Sequence, residues 1–225
     1  MILAATVIIC SMLAGGAVRL RALTVDGAAA TVGIAAAVVV GLGIGWLVVV
    51  AVLYLLVLVT TRVVQGQRPG SRRPRQARGA LDLAPGGGAV AICALVVHPD
   101  SRATVALTAV LSFVLADVFA SEIGPLRSSS AVIPLTGQHV PHGTPGAMSL
   151  SGLIAGAVGS AVCALTAAIA NGEKAGLAVF VGGQTGALVD GLAHAQLPLL
   201  RFRNDLANLL GVTVAVAIAL AIWSL

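Results

Sequence analysis

Long apolar runs separated by short polar connections cover the whole chain. Most of the runs are long enough for a helix to cross the hydrocarbon core of a bilayer, which takes about 20 residues. They do not show the two-residue alternation of membrane β-barrel strands. The pattern therefore predicts an all-α polytopic transmembrane bundle that forms a single domain, 1–225. Its eight predicted spans are 1–18, 27–43, 46–61, 84–97, 103–120, 147–170, 175–193 and 206–225.

Composition excludes a soluble globular domain. Hydrophobic residues make up 58% of the chain and charged residues 9%, whereas soluble domains are about one-quarter charged. The many glycines predict close helix contacts through small side chains. Cys10, Cys93 and Cys163 each lie in an apolar run without paired spacing. This spacing indicates neither a disulfide framework nor a zinc site.

Basic residues are distributed unevenly between the connections. If the N-terminus is outside, every basic residue except Arg102 and Lys174 lies on the inner side, as the positive-inside rule requires. We therefore expect both termini outside, with an arginine-rich cytoplasmic loop at 62–79 and a glycine-rich one at 123–146. The excess of basic residues in the inner connections, together with contacts to membrane lipids, accounts for the net charge of +5. No nucleic-acid partner is therefore predicted.

Carboxylates within the apolar pattern are the first candidates for chemistry. Asp117 ends a long apolar run, and an ionisable group at that depth indicates function. Ser121 shares its helix face and Glu122 is adjacent, which fits a hard cation such as Mg²⁺. The alternative is a helix-end carboxylate paired with Arg127. Asp190 favours the metal, because two carboxylates converging on one face suit magnesium bound to phosphates, with Asp117, Glu122 and Asp190 as ligands.

The segment 141–152 is rich in glycine, proline and hydroxyl groups ahead of a new helix. Backbone amides at such a helix start offer an anion site, although turns and caps use the same residues. His139, His142 and His194 are candidates for an acid/base or phosphate contact, and His142 has the best claim because it lies inside this segment. The chain has no ordinary P-loop string.

Polar groups also precede the last span. Asn204 or Asp205 can cap that helix, whereas Asn208 lies one turn inside and predicts a polar contact within the bundle. The glycines of the sixth span predict a helix-packing face. Those of the seventh span are compatible with either a neighbouring helix or an isoprenoid chain. These two sets are Gly152, Gly156 and Gly159, and Gly182, Gly183 and Gly186.

Several motifs follow one another in a family-specific order. They are LTVDGAAA (23–30), ADVFASEIG (116–124), PHGTPGAMSLSGLIAGAVGS (141–160), an aspartate at 190 and NDLAN (204–208). In this order the chain resembles the phytyl-phosphate kinase family of integral membrane proteins, which is distantly similar to polyprenol kinases and cytidylyltransferases. The chain departs from that pattern at Val118, at Pro85-Gly86 and at 191–194, which reads GLAH.

The resemblance implies a membrane enzyme that phosphorylates an isoprenyl monophosphate. It implies magnesium and a nucleoside triphosphate, CTP or ATP, as cofactors, and a phytyl-like or polyprenyl phosphate as the substrate. Transfer of function within a family is analogy. The residues that match the family motifs are Asp117, Ser121, Glu122, Gly143, Thr144, Gly146, Ser149, Asp190, Asn204, Asp205 and Asn208.

Two other functions are compatible with the residues themselves. One is transport of a small anion or a lipid, with Asp117 and Asp190 as intramembrane relay groups, although no clear internal repeat supports it. The other is a purely structural bundle. For the enzyme we expect a cell (inner) membrane location with the site facing the cytoplasm, where nucleotides and magnesium are available. The sequence leaves a homo-oligomer open.

Overall fold

The computed structural model of the chain describes residues 2–19, 23–67, 79–96, 100–127, 130–134, 136–141, 144, 146–196 and 204–225. The described chain is a bundle of helices with one small hairpin. The helices are α1 (Ile2–Arg19), α2 (Val25–Leu42), α3 (Ile44–Gln67), α4 (Ala80–Leu83), a π-helical turn (Ala84–Gly88), α5 (Ala89–Val96), α6 (Ser101–Arg127), α7 (Leu150–Asn171), α8 (Glu173–Gln196) and α9 (Asn204–Ser224). The strands β1 (Ser130–Ile133) and β2 (Gln138–Pro141) pair antiparallel.

The predicted class, an all-α polytopic membrane bundle, is confirmed. Seven described helices are long and apolar enough to cross a membrane. The fourth predicted span is a composite of α4, the π-helical turn and α5. Its start is fixed by a hydrogen bond from Ala80 N to Asp26 Oδ2 of 2.8 Å, and near its end Ala94 lies against Gly41. The composite segment therefore runs parallel to α2.

Helix α6 is the centre of the bundle. In its apolar window 78% of the residues are buried, compared with 11% in α1. Small side chains such as Ala103, Ala106 and Ala109 are fully buried and let neighbouring helices approach from several sides. Ile8 and Met12 of α1 are exposed instead, which suits contact with lipid tails. Residues on α6 are therefore surrounded by protein rather than lipid.

The glycines of α7 pack against α6, as predicted. A Cβ added at Gly159 would lie 2.6 Å from Leu115 O, and one at Gly156 would lie 3.1 Å from Ala116 O. At the other end of the pair, Asn171 Nδ2 donates to Thr104 Oγ1 at 2.8 Å. The order of these contacts shows that α7 runs antiparallel to α6.

The glycines of α8 also contact neighbouring helices. Of the two partners that the sequence allowed for these glycines, a helix or an isoprenoid chain, the structure shows the helix. A Cβ at Gly182 would lie 2.5 Å from Ala215 O of α9, and one at Gly186 would lie 2.5 Å from Gly211 O. Gly183 meets Ser112 of α6. Helix α8 therefore runs parallel to α6 and antiparallel to α9, without room for an isoprenoid chain along this face.

Two predicted boundaries were wrong. Residues 123–127 belong to α6 and not to a loop, and the following stretch contains the hairpin. Pro125 lies inside this helix, two residues before its end. Residues 62–67 extend α3, where buried Val64 continues its apolar face. The rest of the predicted arginine-rich loop, 68–78, lies outside the described residues.

The side of the membrane on which each connection lies stays a prediction. In a chain whose native cysteines are replaced, Ser71→Cys is expected to be protected from an impermeant thiol reagent in intact cells. Glu173→Cys is expected to be labelled, because the turn between α7 and α8 is expected to lie outside. Labelling in permeabilised cells provides the control for Ser71→Cys. Reversed labelling would contradict the predicted orientation.

Candidate functional site

The predicted site segments share one end of the bundle, which we call the acidic end. Helices α6 and α8 run parallel and reach this end with their C-terminal halves. Helices α7 and α9 run the other way and begin there. The opposite directions follow from the order of the glycine contacts along each pair. Asp117, Asp190 and Asn208 therefore lie at the same end of three neighbouring helices.

A tightly packed layer lies just below these polar residues. The Phe113 ring of α6 lies against Gly186 of α8 and Gly211 of α9, within 3.2 Å of a Cβ built at Gly186 and 2.5 Å of one built at Gly211. Each glycine is needed because a side chain at either position would meet the ring or the facing helix. The layer fixes the register of α6, α8 and α9.

Asp117, Asp190 and Asn208 form the next layer, which we call the acidic junction. Asp117 follows Phe113 by four residues, Asp190 follows Gly186 by four, and Asn208 precedes Gly211 by three on the antiparallel helix. These spacings keep each residue on the packed face of its helix. Asp117 interacts electrostatically with Asp190, His194 and Glu122. The two predicted carboxylates therefore lie within electrostatic range of each other.

Asp190 is the most enclosed of these groups. It is 5% exposed, and its Oδ2 lies 3.4 Å from His194 Nδ1. Its other oxygen, Oδ1, is buried without a hydrogen-bond partner among the described residues. A buried, unpaired carboxylate oxygen is costly, and such an atom in a native structure calls for a missing ligand or a function.

The glycine-rich segment is attached to the acidic end of α8. Val132 of β1 and Met148 exchange two backbone hydrogen bonds of 2.7 and 2.9 Å. The Met148 side chain contacts Gly191, the residue that follows Asp190, and Gly146 packs against Ala195. Gly146 has a φ of 77°, which favours glycine. The backbone around 146–149 therefore packs against the last turns of α8, at Gly191 and Ala195.

The predicted phosphate contacts of this segment have local partners where they are described. Ser149 Oγ accepts a hydrogen bond of 3.1 Å from Gly152 N and so caps α7. Thr144 Oγ1 donates to Pro141 O at 2.9 Å. These are the turn and cap roles that the sequence left as alternatives. His142 and Gly143 lie outside the described residues, so their predicted roles stay predictions.

The alternative of an ion pair between Asp117 and Arg127 is not supported. Ten residues separate them on one helix, about 15 Å along its axis at 1.5 Å per residue, and the Arg127 side chain is exposed. Ser121 is exposed, and its hydroxyl donates to Val118 O at 3.2 Å. Asp205 is half-buried in the first turn of α9 and Asn204 begins that helix.

Two features near the junction were not predicted. One is the contact of His194 with Asp190, although the i, i+4 spacing of the two residues is readable in the sequence. The other is the π-helical turn that contains Pro85. Its Gly86 lies against Val114 of α6, one helical turn before Val118, and the turn also contacts α9. Single π-turns inside helices often occur at functional sites, and here the turn borders the junction.

The donor set determines which kind of metal site is compatible with the residues. Among the described residues, no three His, Cys, Asp or Glu side chains are grouped so as to hold a metal ion. Glu122, predicted as a third ligand, therefore does not complete a cage with Asp117 and Asp190. Mg²⁺ is commonly bound by one or two carboxylates together with substrate phosphates. Asp117 and Asp190 supply carboxylates of the kind and number that such a shared cation uses.

Fold and site define a polytopic helical membrane protein with paired carboxylates at one end of its bundle. The chain belongs to the family described as integral membrane protein DUF92, whose family model matches residues 8–198. The match extends from α1 through α8 and so includes both aspartates. No curated protein and no solved structure showed significant similarity to the chain.

Proposed function

We propose that the protein is a membrane-embedded kinase that transfers a phosphoryl group from a nucleoside triphosphate, CTP or ATP, to an isoprenyl monophosphate. The observation that carries the proposal is the acidic junction, where two carboxylates converge and Asp190 Oδ1 has no partner among the described residues. The motifs at 116–124, 141–160 and 204–208 support the substrate class through their resemblance to the phytyl-phosphate kinase family.

The proposed reaction needs little covalent chemistry from the protein. An oxygen of the acceptor phosphate forms a bond to the γ-phosphorus, the bond from that phosphorus to the β,γ-bridging oxygen breaks, and the nucleoside diphosphate leaves. The acceptor oxygen is already anionic, so no general base is required, and His142 is left with a phosphate-contact role. Catalysis then consists of positioning and charge neutralisation.

The residues of the acidic end supply the positioning. Asp117 and Asp190 would hold Mg²⁺, which neutralises charge on the phosphate oxygens when it is bound. The backbone of Gly143, Thr144 and Gly146 is proposed to line the phosphate path. In the same proposal Arg127 contributes positive charge at the rim, and the amide of Asn208 donates a hydrogen bond at the junction.

An isoprenoid substrate fits the surroundings of the acidic end. Leu150 and Ile154 of α7 and Leu209 of α9 are exposed near this end, at 74%, 58% and 50%. In a bilayer these side chains face lipid, so a prenyl chain can stay in the hydrocarbon while its phosphate reaches the polar boundary. A nucleotide approaches from the aqueous side, which we propose is the cytoplasm of a cell (inner) membrane.

The assay for this function uses the purified protein in lipid nanodiscs. With Mg²⁺ and CTP or ATP, phytyl, geranylgeranyl or longer prenyl phosphates are expected to yield the corresponding diphosphates, detected by mass spectrometry. Chelation of Mg²⁺ is expected to stop the reaction. Absence of product with every nucleotide and lipid pairing would refute the proposal. Accumulation of a prenyl monophosphate in cells that lack the gene would identify the natural substrate.

Transport of a small anion or a lipid is a second candidate. It is favoured by the carboxylates inside crossing helices and by the π-helical turn with Pro85 that interrupts the fourth predicted span, since interrupted helices often line transport sites. Substrate flux into proteoliposomes without nucleotide consumption would favour this candidate over the kinase.

A further inference from the structure

The geometry points to His194 as the residue that positions Asp190, by holding one carboxylate oxygen so that the other stays available to a ligand. The inference rests on the proposed function for the identity of that ligand, a cation shared with a nucleotide. It concerns a residue outside the predicted ligand set. Both residues lie one turn apart near the C-terminal end of α8.

The proton of the imidazole is assigned by its neighbours. His194 Nδ1 lies 3.0 Å from the backbone oxygen of Asp190 and 3.4 Å from its Oδ2. A backbone carbonyl oxygen and an ionised carboxylate oxygen both accept hydrogen bonds only. The hydrogen must therefore sit on Nδ1, which donates towards both atoms.

This donor explains the asymmetry of the carboxylate. Oδ2 faces the imidazole, whereas Oδ1 is buried and without a hydrogen-bond partner in the described part of the chain. Rotation of the carboxylate about its last bond would exchange the two oxygens and lose the fixed orientation. A hydrogen bond that orients a ligand group in this way commonly changes metal affinity by about 10–100-fold when it is removed.

Two amide substitutions distinguish the roles of the two ring nitrogens of His194. In His194→Asn the side-chain amide nitrogen lies where Nδ1 lies, so the donor to Asp190 is retained. In His194→Gln the amide lies where Nε2 lies, and the donor at Nδ1 is lost. His194→Leu removes both. If His194 positions Asp190 through Nδ1, His194→Asn should preserve metal binding, whereas His194→Gln and His194→Leu should weaken it.

Binding is measured with Mn²⁺ as the probe, by electron paramagnetic resonance, on the full-length protein in nanodiscs with a non-hydrolysable ATP or CTP analogue. His194→Gln and His194→Leu are expected to weaken Mn²⁺ binding about tenfold or more, while His194→Asn stays within about threefold of the parent. Equal losses in Asn and Gln variants, or a loss in Asn alone, would overturn the role of Nδ1. Unchanged Mn²⁺ binding in all three variants would also overturn the role of Nδ1.

The tautomer gives a readout that needs no ligand. With ¹⁵N-labelled histidine, nuclear magnetic resonance of the parent is expected to show a hydrogen on Nδ1 of His194. The opposite tautomer would overturn the inference whatever the protein binds. If the parent shows the expected tautomer but binds no Mn²⁺ with either analogue, the proposed function fails and the hydrogen bond to Asp190 stands.

Discussion

Asp190→Asn and Asp117→Asn are each expected to abolish magnesium-dependent nucleotide binding while leaving the bundle folded. The two carboxylates interact electrostatically within the junction, so neutralising one relieves repulsion and the cost of desolvating a charge. A cation site loses half of its protein ligand charge by the same change. We expect affinity to fall by more than the roughly 10–100-fold that loss of a group supporting a metal ligand costs, because a direct ligand is lost; affinity is measured with a non-hydrolysable nucleotide analogue at fixed Mg²⁺. Thermal unfolding without ligand should be unchanged or shifted upward.

Asp100→Asn is the matched control, because it makes the same chemical change at the opposite end of α6. Asp100 Oδ1 accepts from Arg102 N at 2.8 Å, and asparagine retains that acceptor, so nucleotide binding should equal that of the parent. Glu122→Gln is expected to have a small effect on nucleotide binding, because Glu122 does not complete a ligand cage with Asp117 and Asp190.

Two results would contradict the cation site. Asparagine variants that bind Mg²⁺ and nucleotide like the parent would show that the carboxylates are not ligands. Variants that fail to fold would show that Asp117 and Asp190 stabilise a buried charge network and do not form a ligand site. The combination of intact folding and lost binding distinguishes a ligand from both outcomes.

The sequence predicted the crossing helices well because hydrophobic length is a local property. Each described span begins and ends within a few residues of its predicted bounds, apart from the extensions of α3 and α6. The central position of α6 was not predictable in the same way. Its neighbours in the chain are no less apolar, and burial among helices depends on tertiary contacts such as that between Ser112 and Gly183.

The sequence predicted the two carboxylates of the acidic site but not the contacts that surround them. Asp117 and Asp190 are conspicuous because charges are rare in apolar spans. The spacing of His194 from Asp190 places both on one helix face, but their contact depends on the helix continuing to Gln196, beyond the predicted span end at 193. The hairpin at 130–141 was also missed, although AVIPLTGQHV holds β-branched residues on either side of a glycine-containing turn. Gly137 of that turn has a φ of 66°.

Gly186→Ala is expected to destabilise the bundle and to disturb the acidic junction with it. The added Cβ would lie 2.5 Å from Gly211 O, 2.8 Å from Ala215 Cβ and 3.2 Å from the Phe113 ring. The nearest of these atoms is backbone, so helix α9 has to move. Overpacking of this kind costs about 1–3 kcal/mol, which corresponds to a fall in unfolding temperature of roughly 3–10 °C for a chain of this size.

Gly33→Ala is the matched control, since a Cβ at Gly33 of α2 meets nothing within 4 Å. In a helix interior the change from glycine to alanine is favourable by about 0.5–1 kcal/mol, so this variant should be as stable as the parent or slightly more stable. Because Gly186 sets the spacing of α8 and α9, Gly186→Ala should also weaken nucleotide binding at Asp190 and Asn208, one helical turn away. Unchanged stability in Gly186→Ala would contradict the packed layer, and lost stability with intact binding would show that the junction does not depend on it.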